Sequence, residues 1–180
     1  MRLPFWDDFS FSQTSFPHDT LWSIKQSVWV NDGIGINPPS INVATFDGLD
    51  SLGNPYSAND VLAKGFADKL ISRPLRMDLI DPLLRANTFI SFFYQYQGNG
   101  EAPDSGDIFS LSFKNNLGQW ETVWSIENTG TLQKDIFVPV TIAITDDKFF
   151  YDEFQFRFQN FGRLSGPYDT CNLDYVFVSN

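Results

Sequence analysis

The alternation of residues near the C-terminus constrains the fold of this chain more than any other feature. Phenylalanine occupies positions 154, 156 and 158, and polar or charged side chains occupy positions 153, 155, 157 and 159. Successive side chains of a β-strand point to opposite faces of a sheet, so this pattern predicts a strand with one buried and one solvated face. The same layout recurs along the chain, which predicts an all-β fold: an antiparallel β-sandwich of two sheets.

Nine or ten strands are predicted, each bounded by turn-forming residues as is typical of a sandwich. Pro74 predicts that the fourth strand lies at a sheet edge, because proline donates no hydrogen bond to a neighbouring strand. The sequence shows neither a fixed-period repeat nor a linker, so we expect residues 1–180 to form one domain. The predicted strands span residues 21–24, 27–30, 42–46, 68–77, 88–97, 107–114, 119–126, 135–144, 148–160 and 171–179.

The balance of charge argues against two classes of partner. The chain has 12 Lys and Arg against 22 Asp and Glu, a formal net charge of −10, and its sequence shows no basic stripe or cluster. Phosphate groups are bound by cations, so we expect no nucleic-acid partner and no attraction to anionic membranes. No apolar run approaches the roughly 20 residues that cross a bilayer, so we also expect no membrane insertion.

Few residues suit catalysis. His18 is the only histidine and Cys171 the only cysteine, so we expect neither a hydrolytic triad nor an ordinary zinc site. Cys171 is expected to be buried, because small thiols usually pack inside. Glycoside hydrolysis needs two carboxylates in one groove, and the best-placed acids, Glu121 and Glu127, have no acid between them. The match is poor, and a glycoside hydrolase of lectin-like fold is kept as the alternative function.

Acidic residues near strand ends suggest a cation site. Calcium binds several carboxylate and carbonyl oxygens, which strand ends and turns can gather. Asp8 precedes the first predicted strands, Asp47 follows a strand and Asp174 opens the last one. The termini of a sandwich often meet, so Asp7 or Asp8 is expected near Asp174. We predict a structural Ca²⁺ held by Asp8, Asp47 and Asp174; the alternative is that these residues only cap turns and strands.

Aromatic residues in loops suggest a ligand site. Tyr and Trp rings can stack on sugars while acids and amides bind the hydroxyl groups. Tyr56 and Tyr168 lie in predicted loops, and Tyr168 is followed by Asp169. We predict that Tyr56, Tyr168 and Asp169 contact a ligand. Trp120 and Trp124 lie on predicted strands and are expected to belong to the core.

Several segments follow one another in an order that extends over nearly the whole chain: residues 7–10, 38–48, 67–75, 91–95, 120–125, 154–158 and 173–176. In this order they resemble the jelly-roll domains of bacterial surface proteins exported by the type IX secretion pathway, and more distantly gingipain-type adhesin domains and MAM domains. The resemblance implies a concanavalin A-like or MAM-like jelly roll. It also implies a structural calcium at Asp8 and Asp174, with Asp47 a looser match, and a place outside the cell or on its surface.

Together these observations predict a non-catalytic adhesion or recognition module. Its expected partner is a glycan or a surface protein, and the chain is expected to be part of a longer secreted protein. A purely structural spacer is a third possibility. The ligand's identity and the oligomeric state stay open.

Overall fold

The computed structural model describes residues 1–12, 14–24 and 27–180, and it confirms the all-β prediction. The described part of the chain forms eleven strands and three short 3₁₀ helices, Met77–Leu79, Arg85–Asn87 and Asp147–Phe149. The strands are β1 (Phe5–Asp7), β2 (Trp22–Ile24), β3 (Val28–Asn31), β4 (Val43–Phe46), β5 (Lys64–Ser72), β6 (Phe89–Tyr96), β7 (Ile108–Lys114), β8 (Trp120–Glu127), β9 (Val138–Ala143), β10 (Phe156–Arg163) and β11 (Cys171–Ser179).

Two antiparallel sheets form the sandwich. The six-stranded sheet has the order β3-β4-β11-β6-β9, with β1 paired to the C-terminal half of β11. The five-stranded sheet has the order β2-β5-β10-β7-β8. None of the helices among the described residues is long and apolar enough to cross a membrane.

Phenylalanine rings fill the space between the sheets. Phe154, Phe156 and Phe158 are fully buried, as the alternation predicts. The ring of Phe158 meets that of Phe92, from the opposite sheet, edge to face at 4.9 Å between centroids. Cys171 is buried in the same core, as expected. Aromatic pairs of this kind stabilise the core beyond the burial of apolar surface. Because these rings occupy the inner side of each strand, the alternate residues face outward.

Two predicted strands differ most from the structure in their bounds. The strand predicted at 148–160 begins at Phe156 and runs to Arg163, because a 3₁₀ turn precedes it. The carboxylate of Asp146 accepts the N–H of Lys148 at that turn, which favours the turn over an extended strand. The strand predicted at 68–77 is β5, which ends before Pro74 and lies between β2 and β10 rather than at an edge.

The N-terminal segment forms a strand that the sequence did not predict. β1 is three residues long, too short to show a pattern, and it pairs with β11 through Phe5 and Val178. Its pairing brings the two ends of the chain together, as expected for Asp8 and Asp174.

Pro139 lies in β9, an edge strand of the same sheet, where the missing backbone N–H donor of proline is tolerated.

Candidate functional site

Tyr168 and Asp169, two of the predicted ligand residues, lie together in a cleft at one end of the sandwich. The cleft has a volume of about 320 Å³, and three loops form it. Tyr168 is 39% exposed, so part of its ring is available to a ligand. The other lining residues include Leu62, Glu101, Asp104, Arg163 and Ser165. We call this the rim cleft.

Asp169 has a structural role in the rim cleft. Its carboxylate accepts the N–H of Arg163 at 2.6 Å and the N–H of Asp104 at 3.2 Å, and it is buried. Gly162 makes room for it, since a Cβ there would lie 2.7 Å from Oδ2 of Asp169. Asp169 therefore joins two loops, and Tyr168 is the more accessible of the two predicted residues.

Three carboxylates of this region lie close together: the oxygens of Asp104, Asp107 and Asp169 are within 4.8 Å of one another. Two cations offset most of their charge, since Lys64 lies 2.8 Å from Asp107 and Arg163 lies 2.9 Å from Asp104. The hydrogen bond from Arg163 lowers the pKa of Asp104, whereas burial raises the pKa of Asp107. The group forms an ion-pair network that holds the loops in place.

Tyr56, the third predicted ligand residue, belongs to a different network. Its hydroxyl donates to Asp68 at 2.9 Å. The other oxygen of Asp68 accepts the N–H groups of Asp47 and Gly48, each at 2.8 Å. Burial raises the pKa of Asp68 to about 7 and also raises the pKa of Tyr56. Tyr56 thus has a buried partner for its hydroxyl, although 43% of the residue is exposed.

The predicted calcium residues fall into two places. Asp174 and Asp8 are linked through Ser40, whose hydroxyl lies 2.9 Å from a carboxylate oxygen of Asp174 and 2.8 Å from the carbonyl oxygen of Asp8. Asp47 lies in the Asp68 network instead. Protein donors already occupy both oxygens of Asp174, and calcium needs 6–8 oxygen ligands, so these residues alone form an incomplete set. The calcium ion stays a prediction.

The outer face of the five-stranded sheet carries a second candidate site. Phe156 and Phe158 point into the core, so the alternate residues of β10 point outward. Directly opposite residues share a face, which places Ser110 of β7 beside Gln159 and Ser112 beside Arg157. We call this surface the Trp120 face. It comprises Phe66, Lys69, Ser110, Ser112, Lys114, Trp120, Arg157, Gln159 and Phe161.

Trp120 is the aromatic centre of this face. It begins β8 opposite Lys114, and the guanidinium of Arg157 lies 4.6 Å from its ring centroid. Such a contact is a cation–π interaction, which favours this relative orientation of the two side chains. Burial lowers the pKa of Arg157, yet a guanidinium remains charged in proteins. The expectation that Trp120 belongs to the core is wrong, whereas Trp124 packs against the core through Phe92.

Small polar side chains form the floor of the Trp120 face. Ser110, Ser112 and Gln159 point outward but are buried, because the longer side chains around them exclude solvent. A second aromatic pair, Phe66 and Phe161, lies further along the sheet with centroids 5.3 Å apart. The hydroxyl of Ser110 donates to the carbonyl oxygen of Gln159, and that of Ser112 lies 3.4 Å from the hydroxyl of Thr122. The rings and cations around the floor are therefore the groups left to contact a ligand.

The structure also corrects the expectation that the chain has no cluster of basic residues. Five of the 12 Lys and Arg point outward from the five-stranded sheet. They lie on three strands that are distant in sequence, so no basic run is visible along the chain. They are Lys64, Lys69, Lys114, Arg157 and Arg163.

The pair of acids considered for glycoside hydrolysis does not have the required geometry. Glu121 and Glu127 lie at opposite ends of β8, six residues apart, which corresponds to about 20 Å along a strand. Paired catalytic carboxylates lie about 5–10 Å apart. These two residues therefore cannot act on one glycosidic bond.

No family model matches this chain, and no curated protein matches it. Solved structures do match. The CBM27-1 module of Caldicellulosiruptor saccharolyticus, solved with mannohexaose, has a TM-score of 0.54 at 17% identity and covers 97% of this chain and 96% of its own. The K2 cleaved adhesin domain of Lys-gingipain has a TM-score of 0.55 at 12% identity and covers 99% and 100%.

These similarities establish the fold and no more, because sequence identity is low. The predicted likeness to a gingipain adhesin domain is confirmed at the level of fold. Export by type IX secretion and the relation to MAM domains stay predictions.

Proposed function

We propose that this protein is a non-catalytic module that binds a polysaccharide on the Trp120 face. The observation that carries the proposal is the half-buried pair of Trp120 and Arg157, which lies on the outer face of the five-stranded sheet beside a floor of small polar side chains. A neighbouring cation that favours one orientation of an aromatic ring helps to preorganise a stacking surface, and such preorganisation reduces the entropy lost on binding.

Two further observations support a binding role. The sandwich supplies a rigid sheet beneath the Trp120 face, so side chains on successive strands keep their spacing. The neighbour solved with mannohexaose shares the fold, which makes a glycan a reasonable first ligand to test. A protein partner on the bacterial surface is the second candidate, since the other neighbour is an adhesin domain. Because polysaccharides of this kind lie outside the cell, the proposal includes secretion.

Affinity electrophoresis through gels containing mannan, xylan, β-glucan or polygalacturonate tests the proposal. At least one polysaccharide should retard the protein, and Trp120→Ala should weaken that binding at least about tenfold. Trp6→Ala is the matched control, because Trp6 is 43% exposed on the opposite sheet. Melting temperatures verify that both variants fold. Equal retardation of Trp120→Ala and the unmodified protein would show that the binding site lies outside the Trp120 face. If no polysaccharide retards the protein, a glycan ligand is rejected.

A further inference from the structure

Arg157 carries a positive charge that no described residue neutralises. Among the residues that the structure describes, no carboxylate lies within ion-pair distance of its guanidinium. Within the described part of the chain, its Nε is buried without a hydrogen-bond partner, and its guanidinium lies over the Trp120 ring. Arginine binds carboxylate and sulfate groups through two parallel hydrogen bonds, so an unpaired guanidinium on an open face suits an anionic ligand.

Two lysines extend this charge into a row. Lys69 lies opposite Gln159, and Lys114 lies two residues beyond Ser112, the partner of Arg157. Each lysine is therefore a diagonal neighbour of Arg157 on an adjacent strand, and diagonal neighbours lie about 7–8 Å apart. The ammonium group of Lys114 lies 3.3 Å from the side-chain oxygen of Gln155, a neutral partner. Lys69 is exposed, and the described residues give neither lysine an acidic partner.

The other two cations of this sheet differ from the row. Lys64 and Arg163 are paired with Asp107 and Asp104 in the rim cleft, where three carboxylates outnumber two cations. Positive charge is therefore concentrated along Lys69, Arg157 and Lys114. The net charge of −10 on the whole chain does not cancel this local field, because the Debye length is about 8 Å at physiological ionic strength.

We propose that the Trp120 face selects an acidic polysaccharide, a linear chain whose carboxylate or sulfate groups pair with Lys69, Arg157 and Lys114 while one sugar stacks on Trp120. This inference rests on the proposed function and names the class of ligand for the same face. A diagonal row of cations fits an extended polymer with regularly spaced anions better than it fits a single small anion.

Calorimetry with polygalacturonate and with the same polymer after full methyl esterification tests the charge directly, since the two differ in the carboxylate alone. The unmodified protein should bind the acid form at least about tenfold more tightly, and higher salt should weaken this binding. Arg157→Gln should lose about tenfold, and Lys69→Gln and Lys114→Gln should each lose a smaller factor. Lys134→Gln is the control, because it removes an equal charge from an exposed residue outside this sheet. Arg157→Lys keeps the charge and tests whether paired hydrogen bonds matter.

Other outcomes separate this inference from the proposed function. Equal affinity for the esterified and acid polymers would overturn the proposal of an acidic polysaccharide, but the proposed glycan-binding function would stand. If neither form of polygalacturonate binds, and dextran sulfate and the neutral polysaccharides do not bind either, the proposed glycan-binding function is rejected as well. Tighter binding of dextran sulfate that depends on Arg157 would support the inference with sulfate as the anion. Preferential binding of single-stranded DNA would overturn it in favour of a nucleic acid.

Discussion

Ser40 contacts the carboxylate of Asp174 twice: its backbone N–H donates to Oδ2 at 2.9 Å, and its hydroxyl lies 2.9 Å from Oδ1. The N–H of Tyr175 donates to Oδ1 as well, at 2.6 Å. Asp174 is fully buried, and burial raises its pKa to about 6, so it is mostly ionised at neutral pH. These donors hold the last strand against the loop before β4, beside Asp8.

The calcium prediction can be tested at this pair. We expect the rise in Tm produced by calcium over a chelator to be lost in Asp174→Asn, because a ligand bound only by the folded state stabilises that state. Asp47→Asn should keep the rise, since Asp47 lies in the Asp68 network rather than beside Asp174. Differential scanning calorimetry measures both. If the unmodified protein has the same Tm in calcium and in chelator, the prediction of a structural calcium is wrong.

Asp68 should make the protein less stable as the pH rises. Burial raises its pKa from 3.8 to about 7, so between these values the folded protein holds a proton that the unfolded chain has released. The free energy of unfolding therefore falls as the pH rises from about 4 to about 7, by at most about 4 kcal/mol. Asp174 contributes with the same sign up to about pH 6.

Urea unfolding at several pH values between 4.5 and 8 tests this expectation. Asp68→Asn resembles the protonated acid and should flatten the slope, while Asp32→Asn, at an exposed turn, should not. A slope that is the same in all three proteins would show that Asp68 does not titrate in this range.

The sheet pattern was readable from the sequence because buried phenylalanines occupy alternate positions. The bounds of strands were harder to predict where local hydrogen bonds favour a turn over an extended strand. The hydrogen bond from the N–H of Lys148 to the carboxylate of Asp146 is one example. The three residues of β1 form a strand only because β11 pairs with them. Such pairing depends on contacts between distant parts of the chain, which single-sequence patterns do not show.

The candidate site was harder to predict than the fold. Tyr168 and Asp169 line one cleft because they are neighbours in sequence, and their contact with a ligand stays a prediction. Trp120 and Arg157 are 37 positions apart, and only the pairing of β10, β7 and β8 brings them into contact. The outward direction of Trp120 follows from its place opposite Lys114, and strand register is the information that the sequence lacked.

Phe158 should be essential to stability. Its ring lies between Phe92 of one sheet and Phe109 of the other, at centroid distances of 4.9 Å and 5.9 Å, and it is fully buried. Phe158→Ala should cost about 3–5 kcal/mol of unfolding free energy, because it removes apolar contacts and leaves a cavity. Phe66→Ala is the control: Phe66 is 66% exposed, and its loss should cost about 0.5 kcal/mol or less. Denaturant unfolding compares the two, and similar losses would contradict the assignment of Phe158 to the core.

The two candidate surfaces predict different results for their aromatic residues. If the Trp120 face is the binding surface, Tyr168→Ala should change the affinity for the bound polysaccharide by less than about threefold, whereas Trp120→Ala should lower it by at least about tenfold. The rim cleft is acidic near Tyr168, with Glu101, Asp104 and Asp169 around it, so it disfavours an anionic chain. Calorimetry with both variants and with the double variant distinguishes the surfaces. A larger loss of affinity in Tyr168→Ala than in Trp120→Ala would show that the polysaccharide binds in the rim cleft, despite the acidic residues there.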